Sequence, residues 1–161
     1  MLRRKKQKKQ KGEILKSTDE KPLVEKNMDL PESALPEQIK KISEGLYYIS
    51  EMDAEILPFV GEQAASVSRE AVLSQTGSPT DSQVEERDFA RFFARLTEIQ
   101  DWFGDEETET AKKYVKLKEL LEKNLRDLKV FKVGKINLDI YAVGLDSEGR
   151  LTGIKTKAIE T

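Results

Sequence analysis

The sequence predicts an α+β fold, in which helices in the middle of the chain pack on an antiparallel sheet formed at its end. Two observations lead to this prediction. Between residues 88 and 128 the apolar residues recur at the spacing of an amphipathic helix, and after residue 129 they alternate with polar residues as in strands. Helices gathered together and followed by strands are typical of an α+β domain.

The first segment, residues 1–35, is expected to lie outside the folded domain. Residues 2–11 read LRRKKQKKQK, which is seven-tenths basic, and the rest up to residue 35 is polar with little periodicity. This composition predicts a disordered tail. Such a basic run is either a solvated tail, a nuclear-import signal or a tether to nucleic acid or an anionic membrane.

The folded domain is predicted to span residues 36–161, beginning with a helix that has Pro36 in its first turn. Its buried face would be formed by apolar residues at helical spacing: Ile39, Ile42 and Leu46. Gly45 should end this helix, and residues 46–51, LYYISE, then turn to strand character.

The next part of the chain is harder to interpret. Residues 52–67 are mixed, with Pro58 and Gly61 as breakers, and residues 68–77 fit either a short strand or a short helix. A loop is expected where Gly, Ser, Pro and Thr follow one another at 77–80.

Two helices come next. Residues 88–96, DFARFFARL, carry an apolar stripe that predicts a helix with its phenylalanines in the core. A second, longer helix is predicted after Gly104, opened by acidic residues that complement its dipole. Its buried face would continue through five residues: Tyr114, Leu117, Leu121, Leu125 and Leu128.

Three strands are predicted to end the domain. They read KVFKVG, KINLDIYAVGL and LTGIKTKAIET, and the third runs to the last residue, Thr161. In the second strand Ile136, Leu138, Ile140 and Ala142 alternate with the other side chains. Between the second and third strands, Asp146-Ser147-Glu148-Gly149 predicts a hairpin turn.

Composition excludes several classes of function. The chain has no cysteine and no histidine, which excludes disulfides, thiolate or imidazole metal sites and histidine-based catalytic triads. No apolar run is long enough for a transmembrane helix, and none follows the basic start as a signal peptide would require. An enzyme could still use carboxylates, lysine or a magnesium ion held by Asp and Glu, but no motif indicates one. We expect a non-enzymatic protein without a cofactor, without a metal of its own and without membrane contact. We expect it in the cytoplasm, or in the nucleus if the basic run is an import signal.

Charge divides the chain into two parts. Residues 1–35 carry ten Lys/Arg and six Asp/Glu, whereas residues 36–161 carry eighteen and twenty-four, a net charge of −6. An acidic domain disfavours direct binding of nucleic acid and favours a basic protein partner.

Three surface features are candidate contact sites. Glu51 and Asp53 are two residues apart in a segment read as extended, so their carboxylates should face the same side. Trp102 stands in a polar loop before a helix, where it is either an interface anchor or a core residue. At the C-terminus, Glu160 and the carboxylate of Thr161 form a compact set of oxygen donors, the ligand type that magnesium prefers. Taken alone, each carboxylate feature would be read as ordinary solvent-exposed surface.

Residues from about 37 to 161 resemble the nuclease A inhibitor family, inhibitors of magnesium-dependent, sugar-non-specific DNA/RNA nucleases. The segments that carry the resemblance occur in the same order and end together at the last residue: SEGLYYISEMDAEILPF, VLSQTG, QDWFGDEE, KLKELLEKNLRDLKVFKVGKINLDIYAVG and GRLTGIKTKAIET. Residues 60–90 match poorly outside VLSQTG, and the basic extension is not part of the family's core.

The resemblance implies an α/β/α sandwich of the pathogenesis-related-protein-1-like type, with a mainly antiparallel sheet. It also implies that the domain occludes the active site of a non-specific endonuclease, and we expect a monomer in a 1:1 complex. The family's contact residues correspond to Glu51, Trp102 and Thr161, with Thr161 reaching the catalytic metal of the nuclease. Glu160 and Asp53 are expected beside them.

Two other functions remain open from the sequence. The chain could be a general interaction module with a basic tethering tail and a different basic partner. The other possibility is a metal-dependent hydrolase that uses Glu51, Asp53 and the acids at 105–109, although no positioned catalytic motif supports it.

Overall fold

The computed structural model describes residues 31–161, with side chains from Leu35 onward. The predicted tail therefore falls mainly on residues 1–30, which lie outside the described ones. Within the described part, the helices are α1 (Pro31–Ser43), α2 (Arg69–Thr76), α3 (Phe89–Thr97) and α4 (Asp105–Asn124). The strands are β1 (Tyr47–Ile49), β2 (Asp53–Glu55), β3 (Leu57–Gln63), β4 (Val84–Asp88), β5 (Arg126–Val133), β6 (Asn137–Leu145) and β7 (Arg150–Ile159).

The main sheet has five strands in the order β3-β7-β6-β5-β4, and every neighbouring pair is antiparallel. The three strands predicted from alternation, β5 to β7, form its centre. The two strands at the edges, β3 and β4, were not predicted. Strands β1 and β2 form a separate antiparallel hairpin.

The sheet is covered on both faces, which gives the α/β/α sandwich that the resemblance implied. Neighbouring residues of one strand enter different cores: Ile140 joins a cluster with α1, α3 and α4, and Tyr141 joins a cluster with α2. In β5, Val130 and Phe131 divide in the same way. Because both faces are buried, the central strands read as nearly continuous apolar runs.

Helix α1 begins earlier than predicted. It spans Pro31–Ser43, so Pro36 lies inside the helix and not in its first turn. A proline there removes one helical hydrogen bond. Leu35 and Ile39, on either side of it, are buried in the core, and this burial offsets the loss.

Helix α4 ends earlier than predicted. Tyr114, Leu117 and Leu121 form its buried face as expected, but the helix stops at Asn124. Leu125 is the residue at which the chain leaves the helix, and Leu128 already belongs to β5. Both still contact the same core, because a strand that follows the helix directly continues along its buried side.

The mixed segment at 52–67 contains strand β3 in spite of its two breakers. Pro58 is tolerated because β3 has only one neighbour, β7, and an edge strand can dispense with an N–H on its free side. Gly61 lies against the side chain of Gln75 and the carbonyl of Leu151, which leave no room for a Cβ atom. The ambiguous segment at 68–77 is a helix, α2, capped by the Ser68 side chain.

The turn between β6 and β7 is confirmed and is organised by Asp146. Its carboxylate accepts hydrogen bonds from the N–H groups of Glu148 (2.8 Å) and Arg150 (2.9 Å). Gly149 has φ 79°, a conformation that few other residues adopt without strain. No described helix has the length and apolar character needed to cross a bilayer.

Candidate functional site

The C-terminus leaves the sheet two residues before the chain ends. Strand β7 stops at Ile159, so the prediction of a strand running to Thr161 was wrong. Glu160 still donates its N–H to the carbonyl of Ile136 at 3.0 Å. The last two side chains are exposed, so the acidic end of the chain starts from a fixed backbone and projects into solvent.

The β1–β2 hairpin holds this end of β7. The N–H of Ile159 donates to Oγ of Ser50 at 3.0 Å, and the N–H of Glu51 donates to the carbonyl of Ile159 at 3.3 Å. Further along β7, Oγ1 of Thr156 donates to the carbonyl of Glu55 at 2.8 Å. The tip of the hairpin and the end of the chain are therefore one connected unit.

Glu51 and Thr161 meet directly within this unit. Oγ1 of Thr161 donates to Oε2 of Glu51 at 2.6 Å, across 110 positions of sequence. Both residues are exposed. The contact brings together two of the five predicted site residues and holds Thr161 beside the Glu51 carboxylate.

The side chain of Glu160 is held by Lys132 of β5. The two side chains form a salt bridge with Nζ and Oε2 3.0 Å apart, and the lysine side chain is 10% exposed while the glutamate side chain is 41% exposed. The sequence interpretation missed Lys132. Its signal was a lysine between Phe131 and Val133 in a predicted strand, where alternation places it on the opposite face from its neighbours.

The hairpin is in turn fixed to the helices. The hydroxyl of Tyr114 in α4 donates to the carbonyl of Tyr47 at 2.7 Å. Burial raises the pKa of Tyr114, with a smaller contribution from Tyr48, so this hydroxyl stays protonated and remains a donor. The Tyr48 ring stacks on Phe92 of α3, with ring centroids 5.6 Å apart.

Asp53 is arranged differently from the prediction. It is the first residue of β2 and is exposed, pairing with Ile49 across the hairpin. Glu51 lies in the bend between the two strands, so the segment is not continuously extended. The argument that alternation places the two carboxylates on one side therefore does not apply.

Trp102 is an exposed residue of the loop between α3 and α4. It is 74% exposed, which excludes the core alternative, and its indole contacts Phe103 edge-on with centroids 4.7 Å apart. Within residues 35–161, no hydrogen bond or ring contact joins it to Glu51 or Thr161. The structure therefore brings Glu51, Glu160 and Thr161 together and leaves Trp102 on a different loop.

The acids at 105–109 begin helix α4. Oε1 of Glu107 accepts a hydrogen bond from the N–H of Gly104 at 3.0 Å, and Asp105 and Glu106 share the first turn with it. This arrangement accounts for the cluster as helix capping. Across the described residues, no group of three or more acidic side chains is arranged to hold a metal ion.

Comparison with protein families places the chain in a known one. The family model described as nuclease A inhibitor-like protein matches residues 33–161, which is most of the chain and nearly all of its described part. No curated protein matches the sequence.

Proposed function

The chain belongs to the nuclease A inhibitor-like protein family, and from this membership we propose that it inhibits a magnesium-dependent, sugar-non-specific nuclease by occluding the active site. The observation that carries the proposal is the hydrogen bond between Thr161 and Glu51. It holds the last residue of the chain at an exposed position, where an active-site groove can receive it.

The proposed mechanism places the α-carboxylate of Thr161 at the catalytic magnesium of the nuclease. Magnesium prefers oxygen ligands, and this carboxylate would take the position of a substrate phosphate oxygen. Unlike a phosphodiester, it offers the enzyme no bond to cleave. Fixing Thr161 through Glu51 and β7 before binding reduces the entropy lost in the complex.

Charge and exposed apolar surface support the same proposal. Residues 36–161 carry a net charge of −6, which complements a groove built to bind polyanions and favours rapid association. Trp102 is exposed and large, the type of side chain that provides much of the binding energy at interfaces. Asp53, near the hairpin tip, adds to the local negative charge.

The direct test is titration of magnesium-dependent, sugar-non-specific nucleases with the purified chain while DNA cleavage is followed by fluorescence. We expect stoichiometric inhibition of at least one nuclease in the panel. Failure of a large molar excess to slow any of them would reject the proposal. Capture of a different stoichiometric basic partner would then favour the general interaction module.

The role of the C-terminus in inhibition is tested by changing the end of the chain and comparing inhibition with that of a chain changed at its start. Deleting Glu160 and Thr161, or adding a short tag after Thr161, should weaken inhibition about tenfold or more, since an interfacial charge is lost or obstructed. The same tag placed before Met1 is the matched control and should leave inhibition unchanged. Equal potency of the two tagged proteins would remove the C-terminus from the mechanism.

A further inference from the structure

A cleft of about 510 Å³ lies beside the proposed contact site, between β1, β4 and α3. Four cationic side chains, two acidic ones and an apolar group line it: Arg87, Arg91, Arg95 and Lys132; Glu86 and Asp88; Tyr48, Ile49, Phe92 and Leu96. The cleft is predominantly basic, although the domain around it is acidic. The proposed contacts of the hairpin tip and the C-terminus with a nuclease do not use its arginines.

Most of the charges in the cleft already have partners. Arg87 pairs with Glu85 at 2.7 Å, Lys132 with Glu160 at 3.0 Å, and Glu86 is 4.0 Å from the Nζ of Lys129. The carboxylate of Asp88 caps α3 by accepting the backbone N–H of Arg91 at 3.0 Å.

Two cations remain. Arg91 and Arg95 are exposed and form no ion pair with any side chain of residues 35–161. They are four positions apart on α3, so both lie on the same side of the helix, one turn from each other. A guanidinium group binds carboxylates in a fixed, two-pronged geometry.

The apolar part of the cleft lies between these arginines and the hairpin. Phe92 and Leu96 of α3 are only partly buried, and Phe92 stacks on Tyr48. Ile49 is 66% exposed at the margin of the cleft. A ligand that matched this surface would carry negative charge, which would pair with the arginines, and an apolar side chain, which would pack on Tyr48 and Phe92.

We infer that this cleft binds an acidic segment of the inhibited nuclease, with carboxylates on Arg91 and Arg95 and an apolar side chain against Phe92 and Leu96. The inference rests on the proposed function and extends its interface. Ile49, in the cleft, is only two residues from Glu51, so one partner can contact the hairpin tip and the cleft together.

A protein segment fits the cleft better than a nucleic acid does. A nucleic acid carries a phosphate at every nucleotide and would meet Glu86 and Asp88 within the cleft and a domain of net charge −6 around it. Two guanidinium groups without an ion pair in residues 35–161 are enough for two carboxylates but too few to track a phosphate backbone.

The decisive experiment compares two double charge reversals in binding to a nuclease that the wild-type chain inhibits. Arg91→Glu with Arg95→Glu should raise the dissociation constant about tenfold or more. Lys116→Glu with Lys123→Glu is the matched control on α4, since both lysines are exposed and without an ion pair in residues 35–161. Lys123 lies in the last turn of its helix, as Arg95 does. The control should change binding less than about twofold.

Equal binding by the arginine variant and the wild type would overturn the inference while leaving the proposed function intact. Circular dichroism of both variants checks the fold. If the reversal unfolds α3, Arg91→Gln with Arg95→Gln removes the charges with little change in helix propensity and should weaken binding in the same direction.

Two further probes make the result independent of the choice of nuclease. If the wild-type chain inhibits no nuclease, the cleft is tested with a fluorescein-labelled peptide of alternating glutamate and leucine. Its binding to the wild-type chain is compared with its binding to the arginine variant. Binding that is lost in the arginine variant supports the inference, and absence of binding overturns it. A labelled single-stranded oligonucleotide should not bind the wild-type chain, and its binding through Arg91 and Arg95 would assign the cleft to nucleic acid and overturn the inference.

Discussion

At the scale of single residues, the hydroxyl of Thr161 is the group that connects the end of the chain to the hairpin. Thr161→Val keeps the size of the side chain and removes the hydrogen bond to Glu51, whereas Thr161→Ser keeps the hydroxyl. We expect the valine variant to inhibit about threefold to tenfold less well, because the last residue is no longer fixed. The serine variant should inhibit nearly as the wild type does.

Inhibition constants and thermal unfolding check this prediction together. Both residues are exposed, so neither variant should change the unfolding temperature appreciably. If the valine and serine variants had the same inhibition constant, the hydrogen bond would not contribute to inhibition.

Asp146 gives a residue-scale prediction about stability. Burial alone would raise its pKa, but hydrogen bonds from the N–H groups of Arg150 and Glu148, together with the Arg150 guanidinium, lower it below its ordinary value. The folded protein therefore binds this proton more weakly than the unfolded chain does. The carboxylate contributes its full stability above the ordinary range of an aspartate, and loses it as the pH falls through the lowered pKa.

Asp146→Asn should accordingly reduce the free energy of unfolding at pH 7 by about 2 kcal/mol. The difference from the wild type should shrink as the pH falls below about 4, where the aspartate of the unfolded chain is protonated. Urea denaturation at several pH values measures it. Asp81→Asn, in an exposed loop, is the control and should have little effect. A difference that stayed constant with pH would contradict the assignment.

Among the secondary-structure elements, β7 has the largest role, because it pairs with β3 and β6 and carries the chain to its C-terminus. Gly153 of β7 lies opposite Val143 of β6. A Cβ atom there would clash with the backbone carbonyl of Ala142, which cannot move without disturbing the ladder.

Gly153→Ala should therefore lower the free energy of unfolding by about 2–3 kcal/mol. Gly104→Ala is the matched control, since its Cβ would approach only the flexible carboxylate of Glu107, and it should cost less than about 1 kcal/mol. Urea denaturation compares the two. If both substitutions had equal cost, the close approach of the two strands would not be a constraint on packing.

Elements were predicted well where one pattern dominates a long segment. The long apolar stretch of β6, which begins with alternation at Asn137–Asp139, and the helical stripe of α3 are strong signals, and both elements lie where they were expected. The short edge strand β4 reads VEERD, which has no apolar alternation because four of its five residues are exposed. Its position depends on pairing with β5, which is far away in the sequence.

For the whole molecule, net charge is the property with a testable consequence. The predicted domain carries a charge of −6, and the groove of a nuclease is expected to be basic. We expect the association rate constant to fall about tenfold or more between low and high salt, because screening removes the attraction during diffusion. The dissociation rate constant should change much less.

Stopped-flow measurements over a series of sodium chloride concentrations separate the two rate constants. An association rate that did not depend on salt would contradict electrostatic steering. A salt effect confined to dissociation would instead indicate that the charges act only within the formed complex.

The sequence by itself determined the α+β class, the central strands, the family and the residue types at the proposed contact site. These follow from periodicity, composition and the order of matching segments, all of which are written along the chain. Residues 31–35, predicted as part of the tail, belong to helix α1. The tail at 1–30, the monomeric 1:1 complex and the location in the cell remain predictions.

Only the tertiary structure decided which of these residues meet. The contact between Glu51 and Thr161 spans 110 positions, and Lys132 reaches Glu160 from a different strand. Arg91 and Arg95 line one cleft with Tyr48 and Ile49 only because α3 packs beside β1. Such contacts depend on how strands pair and helices dock, and local periodicity carries no information about partners that are distant in the sequence.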